Sequence, residues 1–267
     1  TMNLEDVFDM LSYGEFAQIK IGAQPLSHAN PDHVAQLISH VNLALQDLYR
    51  RFSIVRGEVK LKLVPGTYRY VLNTDASLYL AYKKADEWIA NNPGMPVPII
   101  DPAKYYIQDR GNPFKGDINK IEKLTLANRY KFDLPINDSN IMSAKNPSQL
   151  ELIIPETIVD GKDLIGDWLG ADVVNVEYRA KHVNIVRDPS KYFEACNVEV
   201  PLPDLYTQAM LYFIAFRVLT PIGSMEEDKP GNNYYNKYYQ ECQNLLALGF
   251  ELTESNTVTT LRSRGFV

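Results

Sequence analysis

The chain has 267 residues, 45% of them hydrophobic and 22% charged, which describes a folded globular protein and excludes a disordered or fibrous one. Its 27 basic residues against 33 acidic ones leave a formal net charge of −6, the wrong sign for a protein that wraps nucleic acid by neutralising phosphates. Two cysteines, Cys196 and Cys242, are too few for a disulfide framework, so a reducing cytoplasm is the expected place of synthesis, with a single bridge between them left open.

The first residues, Met2-Asn3-Leu4-Glu5-Asp6, are acidic where a secretory signal is basic, and no run approaches the ~18 apolar residues of a membrane span. Tyrosine outnumbers phenylalanine, 17 to 10. Its large ring and polar tip suit half-buried surfaces between subunits, and a tyrosine-rich core equally well.

Asn3 is placed to cap a helix whose apolar positions are Leu4, Val7, Phe8 and Leu11, with a further turn of pattern at Phe16 and Ile19. Residues 22–30 read as a loop. Asn30-Pro31 supplies a cap with proline at the first helical position, and Val34, Leu37, Ile38, Val41, Leu45, Leu48 and Phe52 form one stripe behind it. The spacing predicts a helix of about 24 residues, roughly 36 Å long. Arg50 and Arg51 fall near its C-terminal end, where cations complement the helix dipole, or at a subunit interface.

A strict alternation follows: Val59, Leu61 and Leu63 on one side, Glu58, Lys60 and Lys62 on the other. Val64-Pro65-Gly66-Thr67 is predicted to turn this strand as a hairpin into Tyr68–Leu72. Residues 75–90 can form a helix without a clean apolar stripe, and 91–98, with three prolines, are loop. From residue 99 to 200 the pattern turns to short strands: 121–126, 129–134, 149–154, 172–178 and 182–186. Helix returns at Pro203-Asp204, with Leu205, Ala209, Tyr212, Phe213, Phe216 and Leu219 on one face and apolar residues over much of the rest, the mark of a buried helix. Residues 224–231 form a charged loop. Asn232 or Asn233 then opens a last helix that ends at Gly249. The polar stretch 251–267 cannot bury enough to fold alone.

The order of elements predicts an α+β protein. Residues 1–55 and 201–250 make a helical bundle, 56–200 a β-rich central insertion, and 251–267 an extended C-terminal tail.

Motifs for chemistry are sparse. Gly161-Lys162 is followed by Asp163 where a phosphate-binding loop needs Ser or Thr, and neither a nucleophile elbow nor a dinucleotide turn occurs. Of the four histidines (His28, His33, His40, His182), His33 and His40 share a helical face two turns apart, too far to hold one metal by themselves. No catalytic residue, metal ligand or cofactor is assigned. The one dense cluster is Tyr234, Tyr235, Tyr238 and Tyr239, paired at i, i+4 on a helix, which suits a base-stacking platform or packing against a neighbouring helix or subunit.

In order and spacing, three pieces of the chain resemble the head-to-tail adaptors (connector or gatekeeper rings) of tailed bacteriophages, especially short-tailed ones. They are the helix running into a strand, VNLALQDLYRRFSIVRGEVKLKLVPGTYRYVL; the strands LELIIPE and DVVNVEYRAKHVNIV; and the helix pair PDLYTQAMLYFIAFRVLTP and NNYYNKYYQECQNLLALG. They cover most of residues 31–249, with a centre, 73–200, longer than in compact adaptors. The resemblance implies a non-enzymatic virion protein, made in the host bacterial cytoplasm and resident in the neck or tail. It implies a twelve-copy ring that joins the portal protein to a tail tube or nozzle protein, passes genomic DNA transiently through its lumen, and touches no membrane. It further suggests that the C-terminal segment engages the portal, which would use Arg262, Arg264 and Phe266. Tyr234, Tyr235, Tyr238, Tyr239, Arg50 and Arg51 are then candidates for the subunit interface. The rival expectation is a DNA-binding or DNA-processing phage protein using Arg50, Arg51, Lys83, Lys84 and the tyrosine cluster.

Overall fold

The computed structural model describes residues 2–13, 31–101, 103–127, 132–139, 142–160, 172–186, 197–219 and 230–249. Six α-helices and two antiparallel sheets lie among them, a mixed α+β protein. The chain divides into two compact units, Thr1–Ile54 with His182–Val267, and Val55–Lys181.

The first unit is helical. Helix α1 (Leu4–Ser12) opens with a capping box: the Asp6 amide donates to Asn3 Oδ1 (2.8 Å) and the Asn3 amide to Asp6 Oδ2 (2.9 Å). It buries the stripe read from its sequence, Leu4, Val7, Phe8 and Leu11. Helix α2 (Pro31–Arg51) has 21 residues, about 32 Å at the usual rise, and buries Val34, Leu37, Ile38, Val41, Leu45 and Leu48, with Phe52 just beyond its end. Ala44 and Tyr49 share that core. Helices α5 (Thr207–Leu219) and α6 (Pro230–Ala247) complete it through Ala209, Met210, Leu211, Ile214, Ala215, Tyr238, Cys242 and Leu245. Helix α6 begins at Pro230, so Asn232 and Asn233 lie inside its first turn and do not cap it. Gly249 closes it in the left-handed region at φ +76°, donating its N–H to Leu246 O (2.9 Å).

The second unit carries the strands. One sheet has the order β1-β7-β3-β4, from β1 (Arg56–Lys62), β7 (Val173–Ala180), β3 (Ile118–Leu126) and β4 (Asp133–Leu134). The other has the order β2-β6-β5, from β2 (Arg69–Val71), β6 (Glu151–Ile153) and β5 (Lys145–Ser148). As the alternation predicts, Val59, Leu61 and Leu63 are buried while Glu58, Lys60 and Lys62 face out. The core they enter also holds Tyr70, Leu72, Ile107, Ile118, Leu152 and Val174.

The expected β1–β2 hairpin does not form. The 64–67 segment turns, with Thr67 N–H on Val64 O (2.9 Å), but β1 and β2 join different sheets. Both edges of β1 are already engaged, β7 along one side and residues 106–108 along part of the other, while β2 pairs with β6. Two buried tyrosines hold this turn: Tyr70 Oη accepts from Val64 N–H (3.0 Å), and Tyr106 Oη donates to Val71 O (2.8 Å) and accepts from its N–H (2.7 Å). Residues 75–90 resolve into a one-turn 3-10 helix (Thr74–Ala76) and helix α3 (Leu78–Asn91), capped by Ser77 Oγ. Its buried face is Ala81 and Ala85, too small to register as an apolar stripe. A four-residue helix, α4 (Glu156–Val159), follows β6.

The boundary read at 55/56 falls at Ile54/Val55, but the return moves from 200/201 to Lys181/His182. Residues 182–186, read as a strand, join no sheet; the Asn42 side chain donates to Ile185 O and accepts from Ile185 N–H, both at 2.9 Å. Leu4 N–H donates to Val198 O (2.8 Å), Val200 N–H to Met2 O (3.0 Å) and Tyr49 Oη to Pro201 O (2.5 Å). The two segments therefore belong with the helices. Satisfying their backbone groups decides this, and strand propensity does not.

Candidate functional site

The tyrosine cluster of α6 separates by helical phase. Tyr238 is 1% exposed. Its hydroxyl donates to an Asp47 carboxylate oxygen that also accepts from Arg51 Nε (2.6 Å), and the Arg51 guanidinium lies 5.5 Å from the Tyr238 ring centre. Phe213 meets the same ring edge-on at 5.3 Å. Burial pushes the Tyr238 hydroxyl well above its ordinary value, and the Asp47 hydrogen bond adds to it. Burial likewise raises the Cys242 thiol, a free cysteine in the same core. Tyr238 thus spends its hydroxyl fastening α6 to α2 and leaves the set of candidate interface residues, while Arg51, paired with Asp47 on its own helix, keeps 43% of its side chain exposed.

Tyr234 is half-buried against Tyr212, at 6.3 Å between ring centres, and the Lys237 ammonium sits 5.4 Å from its ring. Tyr235 and Tyr239 are exposed, Tyr235 leaning on Phe216 at 5.1 Å, and Arg50 is exposed on α2. These three keep surface available for a partner. Arg262, Arg264 and Phe266 lie outside the described residues, as do Cys196, His28 and the 161–163 segment.

In the strand unit a cleft of about 510 Å³ opens along β1, lined among others by Glu58, Lys60, Phe114, Lys115 and Tyr178. Two of its three acidic side chains, Asp109 and Asp117, are engaged in structure, and Glu58 is exposed. Asp109 is buried and accepts from Ser77 Oγ (2.5 Å), Tyr79 N–H (2.9 Å) and Phe114 N–H (2.9 Å). Asp117 accepts from the Tyr178 hydroxyl (3.0 Å). Asp109, satisfied by two backbone amides and a capping serine, holds its loop in place. Beneath the sheet Arg179, buried, pairs with Glu122, which Arg56 also reaches at 3.6 Å.

Sequence patterning missed two surface features of this unit. One is this cleft, which tertiary contacts alone create. The other is the segment after α3, where Met95, Val97 and Ile99 are 62%, 55% and 97% exposed. Three prolines marked that stretch as loop and drew attention away from its apolar side chains.

Among the described residues, no group of three His, Cys, Asp or Glu side chains is arranged to hold a metal ion, and no helix is long and apolar enough to cross a membrane. No protein-family model matches the chain, and no curated protein matches its sequence.

Proposed function

We propose that this protein is a structural ring subunit of a tailed bacteriophage, a head-to-tail adaptor between portal and tail. The observation that carries the reading is the path of the chain. It leaves the helical unit once, after α2, and returns once, so that N- and C-terminal helices share one core and the strand unit is a single insertion. That is the order of elements on which the resemblance to adaptors rests. In this reading α1, α2, α5 and α6 form a bundle that serves as the ring wall. The exposed Tyr235, Tyr239 and Arg50 contribute lateral contacts, and the strand unit makes axial contacts toward the tail. The net charge of −6 keeps DNA from adhering as it passes.

The test is incubation of the purified chain with an assembled portal of a short-tailed phage, imaged by electron microscopy. A ring of added density at the portal's outer end is expected. A dispersed protein and a bare portal overturn the reading.

A second reading has one observation in its favour. The Arg110 guanidinium, from the segment after α3, lies 4.6 Å over the ring of Tyr82 on that helix, and Lys83 and Lys84 are exposed beside Tyr82, a cation–aromatic surface of the kind that binds single-stranded nucleic acid. It predicts affinity for free DNA that falls steeply between about 50 and about 200 mM salt, whereas the ring reading predicts little affinity at either.

A further inference from the structure

The open edge of β1 and the exposed segment after α3 are complementary. In β1 the odd-numbered residues turn their backbone groups to β7: Val55 O accepts from Ala180 N–H (2.9 Å), and Gly57, Val59 and Leu61 stand opposite Tyr178, Val176 and Val174. The even-numbered residues turn theirs outward. Lys62 N–H donates to Tyr106 O and Lys60 O accepts from Gln108 N–H, both at 2.8 Å. Beyond Gln108 this outer partner stops. The N–H and C=O of Glu58 and the N–H of Lys60 then face the 510 Å³ cleft with no hydrogen-bond partner among the described residues. A row of outward backbone groups beside a cleft is a template for an added strand, and an extended peptide is the occupant that satisfies it in register.

The segment Gly94–Ile99 has the composition of such a strand. All its side chains are exposed, and it lines no part of its own chain's cleft. Met95, Val97 and Ile99 alternate with Pro96 and Pro98. In an extended chain the backbone groups of the odd-numbered residues point to one edge, those of the prolines to the other. One edge is therefore complete, while the other lacks two donors and cannot recruit a further strand. A segment of this design pairs once and stops. The cleft is lined by Arg56, Lys60 and Lys115 and by Glu58, Asp109 and Asp117; the last two are engaged within the chain, which leaves cations to attract Asp101, the residue that follows the otherwise uncharged segment.

We propose that residues 94–100 of one copy of this chain add as a strand to the outer edge of β1 at Glu58–Lys60 of a second copy. The contact joins two different surfaces, so it is head-to-tail, the kind of contact whose repetition makes a ring when its rotation closes. It deepens the ring reading by naming a lateral contact and rests on that reading only for closure, since strand addition itself needs no portal.

The test mixes full-length copies carrying Glu58→Cys with full-length copies carrying Val97→Cys, both in concentrated solution and on assembled portal. A disulfide-linked dimer that forms only when both variants are present is expected. Val97→Pro removes a pairing donor at an exposed position and is expected to lower the association of otherwise native chains roughly tenfold, the equivalent of about 1.4 kcal/mol, with an unchanged circular dichroism spectrum. Rings on the portal with no linked dimer, and with Val97→Pro assembling as the native chain does, overturn the strand addition and leave the ring reading standing. Linked dimers with a bare portal support strand addition and sink the ring reading. Dispersed, unlinked chains in both settings overturn the proposal.

Discussion

The ring of Tyr178 occupies the place where a side chain on Gly57 would begin. The two residues face each other across the β1–β7 pair, and the tyrosine covers the glycine backbone on its way to Asp117. Gly57 is therefore required for its missing Cβ and not for an unusual backbone angle. A methyl at this position must displace an aromatic ring that is itself hydrogen-bonded. Gly57→Ala is expected to destabilise the strand unit by about 1–3 kcal/mol, the usual cost of overpacking. Adding Tyr178→Ala to it should cost less than the sum of the two single changes, because the clash has then gone. Denaturant midpoints of the three variants check this, and strict additivity would count against it.

Arg179 is a buried cation whose carboxylate partner is Glu122. Removing only the anion leaves the guanidinium short of its main counter-charge. Glu122→Gln is expected to cost about 3 kcal/mol, the lower end of what breaking a buried pair costs, since Arg179 keeps other contacts. Replacing both, with Arg179→Met and Glu122→Leu, should recover much of that loss. Equal losses in the single and double variants would contradict the pairing.

In the helical unit, Asp47 accepts from both Tyr238 and Arg51. Tyr238→Phe removes one hydroxyl and leaves Asp47 served by Arg51, so the expected loss is about 1 kcal/mol. Asp47→Ala leaves the buried hydroxyl only the weak Cys242 sulfur as a partner and should cost more, about 1–3 kcal/mol. The order of the two unfolding midpoints is the measurement; a larger loss in Tyr238→Phe would refute the account.

Stability should decline at both ends of the pH scale. Burial raises the hydroxyl pKa of Tyr49, Tyr70, Tyr106 and Tyr206. The folded chain then keeps protons that the unfolded chain releases, so this contribution is complete below about pH 10 and is lost as pH rises beyond it. On the exposed side of the turn, the hydrogen bond to Asp160 pushes Tyr68 up to about 12, in the same sense. Burial lowers the pKa of His40, helped by Arg217, and of His182, whose ring meets that of Tyr49 at a tilt with 5.6 Å between centres. For them the unfolded chain takes up the proton first, so stability is complete above about pH 6.5 and is lost as pH falls. Urea midpoints should be highest between these limits. A flat profile from about pH 5 to about pH 11 would exclude both effects.

The sequence by itself determined what depends on periodicity. The stripes of α1 and α2, the alternation of β1 and the glycine that ends α6 are all repeats of 3.6 or 2, or single residues with one favoured backbone geometry, and the exit from the helical unit, read after residue 55, falls after Ile54. Tertiary structure decided everything that depends on a partner distant in the chain. Which strand lies beside β1, where residues 182–186 belong and which of four tyrosines is buried were each decided by backbone groups and apolar faces finding partners 100 or more residues away, through β7, Asn42 and Asp47. The open edge of β1 and the cleft beside it arise in the same way. They exist because the neighbour at 106–108 stops short, and no local pattern records where a neighbour stops.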